Sequence, residues 1–187
     1  MTRLRLLPVL ALITLAACAA NSDLYLLPDP PATEQIGVRA RTIEVRDIVL
    51  PSYAAEPDIL LQGADTALRP VSGALWAEEP RVGMTQALAR RLDLGTTATV
   101  AVEPWPLFDG PDLRVQVTVD RVLARADGVF EFGGQYAVTS TSGGAREFLR
   151  RFAIQEPLTG TGPDAVADAL GRSLTRLSDT IARSIAR

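Results

Sequence analysis

The sequence predicts an α+β fold: a single two-layer domain with a largely antiparallel sheet and two amphipathic helices packed on it. Three observations carry this reading. Leu113, Val115, Val117 and Val119 alternate with polar residues, and Phe130, Phe132, Tyr136 and Val138 hold one phase further on, the period of half-buried strands. Asp127-Gly128 lies between the two runs, and Asp-Gly in that position is a strong hairpin signal. Val166, Leu170, Leu174, Leu177, Ile181 and Ile185 recur every three or four positions, which makes one continuous helical stripe.

The remaining elements follow in chain order. Residues 19–36 hold Pro28, Pro30 and Pro31 among small and polar residues without a sustained period, so they read as a tether. The apolar island Tyr25-Leu26-Leu27-Pro28 is placed to dock on the body. Ile43 and Val45 alternate before the apolar run 48–50, which Pro51 stops; this is a strand buried toward its end. Ile59 and Leu61 mark a shorter strand over 58–62, ended by Gly63. The period changes over 80–94, where Met84, Leu88 and Leu92 recur every four positions, Arg81, Arg90 and Arg91 mostly turn elsewhere, and Gly95 is expected to close a helix. Ala98, Val100 and Val102 give another strand up to Pro104. A turn at Ser142-Gly143-Gly144 leads to a last strand marked by Phe148, Phe152 and Ile154, completing an antiparallel meander. The closing helix opens at Gly162-Pro163-Asp164, with proline in its first turn and an acid near the positive end of its dipole. Its stripe is expected to pack on the sheet rather than pair with a second subunit, leaving Arg172, Arg176 and Arg183 solvated.

The first residues read differently. Arg3 and Arg5 precede an apolar run over 6–15 and then small residues, the layout of an export signal, and the run is shorter than the roughly 20 residues that span a bilayer. Its end, Leu15-Ala16-Ala17-Cys18, resembles the bacterial lipobox. That resemblance implies diacylglycerol on the Cys18 thiol and scission by signal peptidase II between Ala17 and Cys18. Two or three acyl chains make a stable anchor, since each buried methylene contributes about 0.8 kcal/mol. Ala19 follows the cysteine where, by resemblance to enterobacterial lipoproteins, aspartate would retain the product at the inner membrane; the expected address is the periplasmic face of the outer membrane. The chain thus divides into a signal peptide over 1–17, a lipidated N-terminus and proline-rich tether over 18–36, and a globular domain over 37–187. Loss of residues 1–17 leaves 170 of the 187, enough for one domain with a sizeable core. It also removes two basic residues and no acidic ones, so the net charge moves from −3 to −5, which argues against nucleic acid as a partner.

Composition removes most catalytic chemistry. Histidine is absent, all 19 basic residues are arginine, and Cys18 is the single cysteine. Ser-His-Asp, Cys-His and Ser-Lys arrangements, Schiff-base lysines and phosphate loops of the GxxxxGK type are therefore excluded, as are zinc sites built on His and Cys. Gly133-Gly134 and Gly143-Gly144 do not open a helix after a strand, so a dinucleotide site fails too. What survives is carboxylate chemistry at Asp109 with Asp112, Glu78 with Glu79, and Glu131. A turn, a helix entrance and a solvated strand face account for these in order. No catalytic residue, metal or cofactor is expected. Trp76 and Trp105 lie beside prolines in what read as loops. They are half-buried anchors or, given the enrichment of tryptophan at interface hot spots, a partner-binding surface.

A set of short motifs points to one family. After the lipobox come Tyr25-Leu26-Leu27-Pro28, Ile43-Glu44-Val45 running to Leu50-Pro51 and Tyr53, and then Pro57 and Ile59. Trp76-Ala77-Glu78, Glu103-Pro104-Trp105-Pro106 and Val119-Asp120-Arg121 extend the pattern to the closing helix. Together they resemble the ABC-type transport auxiliary lipoproteins of the paraquat-inducible protein C (PqiC) type, over nearly the whole mature chain. Leu75 departs from the pattern, which would place a charged residue before Trp76. The resemblance implies a non-catalytic subunit of an intermembrane lipid-transport system, partnered by a periplasmic protein of the mammalian-cell-entry (MCE) type and an inner-membrane ABC transporter. Its expected work is to dock the MCE protein at the outer membrane, with a homo-oligomeric collar as one form. Two other readings stay open: a membrane-anchored, glycosidase-like enzyme using two carboxylates about 5–10 Å apart, and a scaffold lipoprotein of another envelope complex.

Overall fold

The structure is a computed structural model that describes residues 22–30, 34–141, 143–144 and 146–186. The signal segment, Cys18 and the turn residue Ser142 lie outside the described residues. In chain order the elements are β1 (Asp23–Tyr25), β2 (Thr42–Val45), a 3-10 turn (Ser52–Ala54), β3 (Asp58–Gln62), β4 (Leu68–Trp76), α1 (Pro80–Gly95), β5 (Thr99–Val102), β6 (Leu113–Ala124), β7 (Val129–Ser140), β8 (Phe148–Pro157) and α2 (Pro163–Ile185).

These build the predicted α+β domain, with eight strands in one mixed sheet and both helices on one of its faces. The antiparallel β6-β7-β8 meander is as expected. Its first hairpin turns at Gly128, which takes a φ of 82°, a conformation glycine reaches without steric cost. On its other edge β6 meets two separate branches, β2 followed by β5, and β3 followed by β4 and β1.

The filling of that edge explains the region between. β2 runs parallel to β6 from Ile43 to Val45, and the amide of Arg46 donates to Val115 O at 2.9 Å. The apolar run 48–50 does not extend the strand as expected. Only Val49 bridges, donating to Val117 O and accepting from Val119 N. Ile48 turns into the core, its amide held by the Thr85 hydroxyl at 3.0 Å. The Tyr53 hydroxyl then accepts from Val122 N at 3.1 Å, and β3 joins in parallel at Ala124. Successive groups of the buried edge are thus satisfied by backbone, backbone and side chain in turn, as burial requires.

Two strands were hidden in the sequence. β4 carries Pro70 and Gly73, and Gly73 has a φ of 72°. Its pairing with β3 jumps from Leu75 opposite Asp58 to Pro70 opposite Leu60, so an irregularity breaks the alternation a strand should show. β1 lies inside the segment that reads as a tether, yet it pairs in parallel with the end of β4, Tyr25 opposite Trp76.

Both helices cover Ile43, Val45, Val115, Val117, Phe130 and Phe132 with apolar side chains. α2 presents the predicted stripe, buried from Val166 to Ile181. α1 touches α2, β2 and β5, so it is buried over most of its circumference, including Thr85 and Arg91. Gly95 is its last residue rather than a left-handed stop. The chain leaves at Thr96 with extended dihedrals, and the Thr96 hydroxyl donates to Leu92 O at 2.8 Å.

Gly133 and Gly134 serve the sheet. They face the point where β6 slips register between Val119 and Arg121. A Cβ on Gly134 would stand 2.2 Å from Thr118 O, whereas on Gly133 it would meet nothing nearer than 3.5 Å. Gly134→Ala is therefore expected to destabilise the domain by about 1–3 kcal/mol, the usual range for overpacking, while Gly133→Ala stays within roughly 0.5 kcal/mol. Urea midpoints of the two variants provide the comparison.

Candidate functional site

A cavity of about 310 Å³ opens where the N-terminal segment crosses the helices. Tyr25, Leu27 and Pro28 form one wall. Tyr53, from the 3-10 turn, and Trp76, at the end of β4, form another. Met84 and Ala87 reach in from α1, and the core residues Phe130, Val166 and Leu170 close the floor. Pairing on both sides of β4 sets the geometry: Trp76 N donates to Pro57 O on the antiparallel β3 side and Ala77 N to Tyr25 O on the parallel β1 side, so the wall and the N-terminal segment are fixed together.

Arg91 sits at the junction of this segment with both helices. It is only 4% exposed. Its Nε donates to the Thr175 hydroxyl at 3.0 Å, Nη1 to Ala87 O at 3.0 Å, and Nη2 to Pro28 O at 2.8 Å. Burial is the main cause lowering its pKa from the ordinary arginine value, with the neighbouring Arg90 adding to the effect and the Asp29 carboxylate opposing it. Arg90 itself pairs with Asp29 at 2.6 Å. Pro28 rests on α2 at Gly171, where a Cβ would come within 2.5 Å of the proline ring. The expected docking of the apolar island is thus observed, and Arg91, read as turned away from the core, instead clamps it.

Carboxylates tell a consistent story. Glu44 on β2 is buried, takes Arg114 Nε at 2.6 Å and accepts from Trp105 N at 3.1 Å. Glu156 on β8 faces the helices and is held by Arg172 and Arg176, four residues apart on α2. Those two arginines keep solvent-exposed side chains, as expected, and hold Glu156 as well. Glu131, by contrast and against expectation, is not solvated. Its side chain is 14% exposed and bonds Arg125, just beyond β6, at 2.5 Å and Arg121, on β6, at 3.2 Å. The hydrogen bond from Arg125 is the leading cause holding the Glu131 carboxyl below the usual range. At the cavity mouth Asp29 is spent on Arg90, and Asp58 and Glu78 are exposed. Glu79 stands at the N-terminal cap of α1, immediately before Pro80, and pairs with Arg81. Contrary to expectation, Asp112 does not serve a local turn with its carboxylate but accepts from the distant amides of Arg41 and Thr42, and so ties the start of β6 to the start of β2. Among the described residues no group of three or more acidic or thiol side chains converges on a metal position.

The tryptophans part company. Trp76 belongs to a strand, not to a loop, and lines the cavity. Trp105 lies in a loop as read, beyond β5 on the other branch of the sheet. Its indole N–H donates to Asp109 O at 2.6 Å and its amide to Glu44, while Arg46 holds Glu103 through two bonds of 2.9 Å. This bracing presents Leu107 at 58% exposure and Phe108 fully exposed. Nothing in the local pattern singled out Glu44, Arg91 or Glu156. For Glu44 the only signal was an acidic residue amid the apolar positions of β2.

This arrangement defines a two-layer α+β domain with a cavity walled on one side by its own N-terminal segment. The chain belongs to the family of ABC-type transport auxiliary lipoprotein components, whose family model matches residues 25–182. A crystal structure of an uncharacterized protein superposes with a TM-score of 0.70 at 22% identity, covering 88% of this chain and 99% of that one. A Xanthomonas campestris protein of the DUF330 family superposes with a TM-score of 0.63 at 16% identity, covering 88% and 92%. At these identities both likenesses bear on the fold. No curated protein shows a significant match. Among the described residues no helix is long and apolar enough to cross a membrane.

The charge pairing has a pH signature. A carboxyl whose folded pKa is depressed adds stability above its unfolded value and loses it as pH falls through the folded one. Glu131→Gln is accordingly expected to be less stable than wild type at pH 7. The gap should shrink once pH falls below about 4, where the unfolded carboxylate protonates, and close at lower pH. Urea unfolding at several pH values measures it.

Proposed function

We propose that this protein is a lipid-anchored, non-catalytic docking subunit of an MCE/ABC-type intermembrane lipid-transport system. In this reading the chain is cut between Ala17 and Cys18, Cys18 carries the lipid, and the domain stands on the periplasmic face of the outer membrane. There it receives the periplasmic MCE protein, with more than one copy of the chain in the assembly. Family membership supports a transport partner. The pairing of each buried carboxylate with arginine supports a non-catalytic role, because a general acid needs a desolvated carboxyl without such a partner.

The observation that carries the docking assignment is the loop over 103–112. Large apolar side chains at a loop tip are usually withdrawn or disordered, but here hydrogen bonds at Trp105, Glu103 and Asp112 hold the backbone while Leu107 and Phe108 face solvent. A rigid apolar tip binds at low entropic cost, and aromatic anchors dominate interface energetics. Trp105 is thus the partner-binding tryptophan, acting through the loop it braces, and Trp76 serves the cavity.

Co-purification of the lipidated protein with the MCE protein in detergent is the direct test. Replacing both Leu107 and Phe108 by serine is expected to weaken association at least about tenfold, or ~1.4 kcal/mol, without lowering the melting temperature. Failure of wild type to associate would overturn the docking function; wild-type association by the double variant would overturn the loop assignment. Cys18→Ser is expected to yield a folded product that is uncut or released from the membrane, as fractionation will show.

A further inference from the structure

We propose that the cavity beneath the N-terminal segment binds one straight-chain anionic amphiphile, a free fatty acid, with its alkyl chain among Tyr53, Trp76, Met84 and Phe130 and its carboxylate at Arg91.

The shape argues for a chain. About 310 Å³ of space lies at the lower end of small-molecule sites, and at roughly 30 Å³ per water-sized group it holds on the order of ten methylenes. The inner walls are aromatic and aliphatic, and Phe130 and Leu170 at the floor are buried core residues, while the polar lining residues Asp29, Asp58, Glu78, Gln86 and Arg90 are exposed to solvent; the interior thus offers little to a polar ligand.

The charge argues for an anion. Glu44, Glu131 and Glu156 each face arginine. Arg91 is as deeply buried, yet its three hydrogen bonds go to a hydroxyl and two carbonyls, all neutral. The nearest charges are Arg90 and Asp29; Asp29 attracts Arg91 from a distance, but its carboxylate is bonded to Arg90 and makes no hydrogen bond to Arg91. On the α2 side Glu156 is taken by Arg172 and Arg176, and Asp168 is exposed. A buried ion without an opposite charge is costly. A guanidinium has five N–H groups, and the three bonds use three of them. A carboxylate arriving through the cavity, which Arg91 lines, supplies both the charge and the missing acceptors.

The protein's own anchor is a weaker occupant. Acyl chains carried on a lipidated cysteine are linked as esters or an amide, so they bring no anion to Arg91. The proposal stands apart from the docking reading, because it concerns the opposite branch of the sheet.

Calorimetric titration of the delipidated full-length Cys18→Ser chain with dodecanoate and with dodecanol tests it. Dodecanoate is expected to bind at least tenfold more tightly than dodecanol. Gly83→Leu, at a cavity-lining position of α1 where a Cβ meets only the Glu78 side chain at 3.5 Å, is expected to weaken dodecanoate at least tenfold while leaving the melting temperature unchanged. Arg91→Gln should bring the two ligands within twofold of each other; should that variant unfold, the alcohol comparison and Gly83→Leu decide. Absent dodecanoate binding, equal binding of the alcohol, or full binding by Gly83→Leu would overturn the proposal. So would a lipidated wild type in nanodiscs that refuses the dodecanoate accepted by Cys18→Ser, which would give the cavity to the anchor.

Discussion

The domain depends on one long strand whose two edges are filled in unlike ways. On one edge β6 pairs with β7 through nearly its whole length, the kind of contact a hairpin creates by itself. The other edge is buried and must find partners from elsewhere in the chain. β2, the Val49 bridge, the Tyr53 hydroxyl and β3 supply them in succession. This patchwork opens the sheet into two branches. One branch carries the Trp105 loop at its far side, the other carries Trp76 and the cavity. The separation of the two candidate surfaces is a consequence of how a single row of peptide groups is satisfied.

Arginine shapes the chemistry of the interior. With neither lysine nor histidine available, every buried carboxylate described above is answered by a planar, permanently charged fork suited to paired oxygens. Glu156 illustrates the economy of this: arginines four residues apart on α2 lie on one helical face, so one carboxylate fastens the helix to β8. Arg91 uses the same fork for a different purpose. It gathers α1, α2 and the N-terminal segment through neutral acceptors, and no carboxylate bonds it directly.

How much of this was legible in the sequence depends on the range of the interaction. α2 and the β6-β7-β8 meander were readable because their apolar periods and the Asp127-Gly128 turn are local. β4 was not, since Pro70 and Gly73 interrupt its alternation and its pairing with β3 slips. β1 was not, because three residues cannot show a period and their partner lies some fifty positions away. The candidate site fared worse than the fold. Trp105 was found in its loop, but Trp76 was misplaced, and the burial of Glu44, Glu131, Glu156 and Arg91 follows from strand neighbours and helix packing that no short window contains. Charged residues on alternating positions look solvated until the element that covers them is known.

β1 also has a mechanical meaning. A pull applied ahead of Asp23 enters the body through three residue pairs with β4, whose hydrogen bonds lie across the strand and would be loaded together in shear. Beyond them the load meets the Pro28 carbonyl held by Arg91 and the proline ring seated at Gly171. The same few contacts close the cavity. Tension along the N-terminal segment and access to the interior therefore share one latch, and a displacement of a few ångströms there would change both at once.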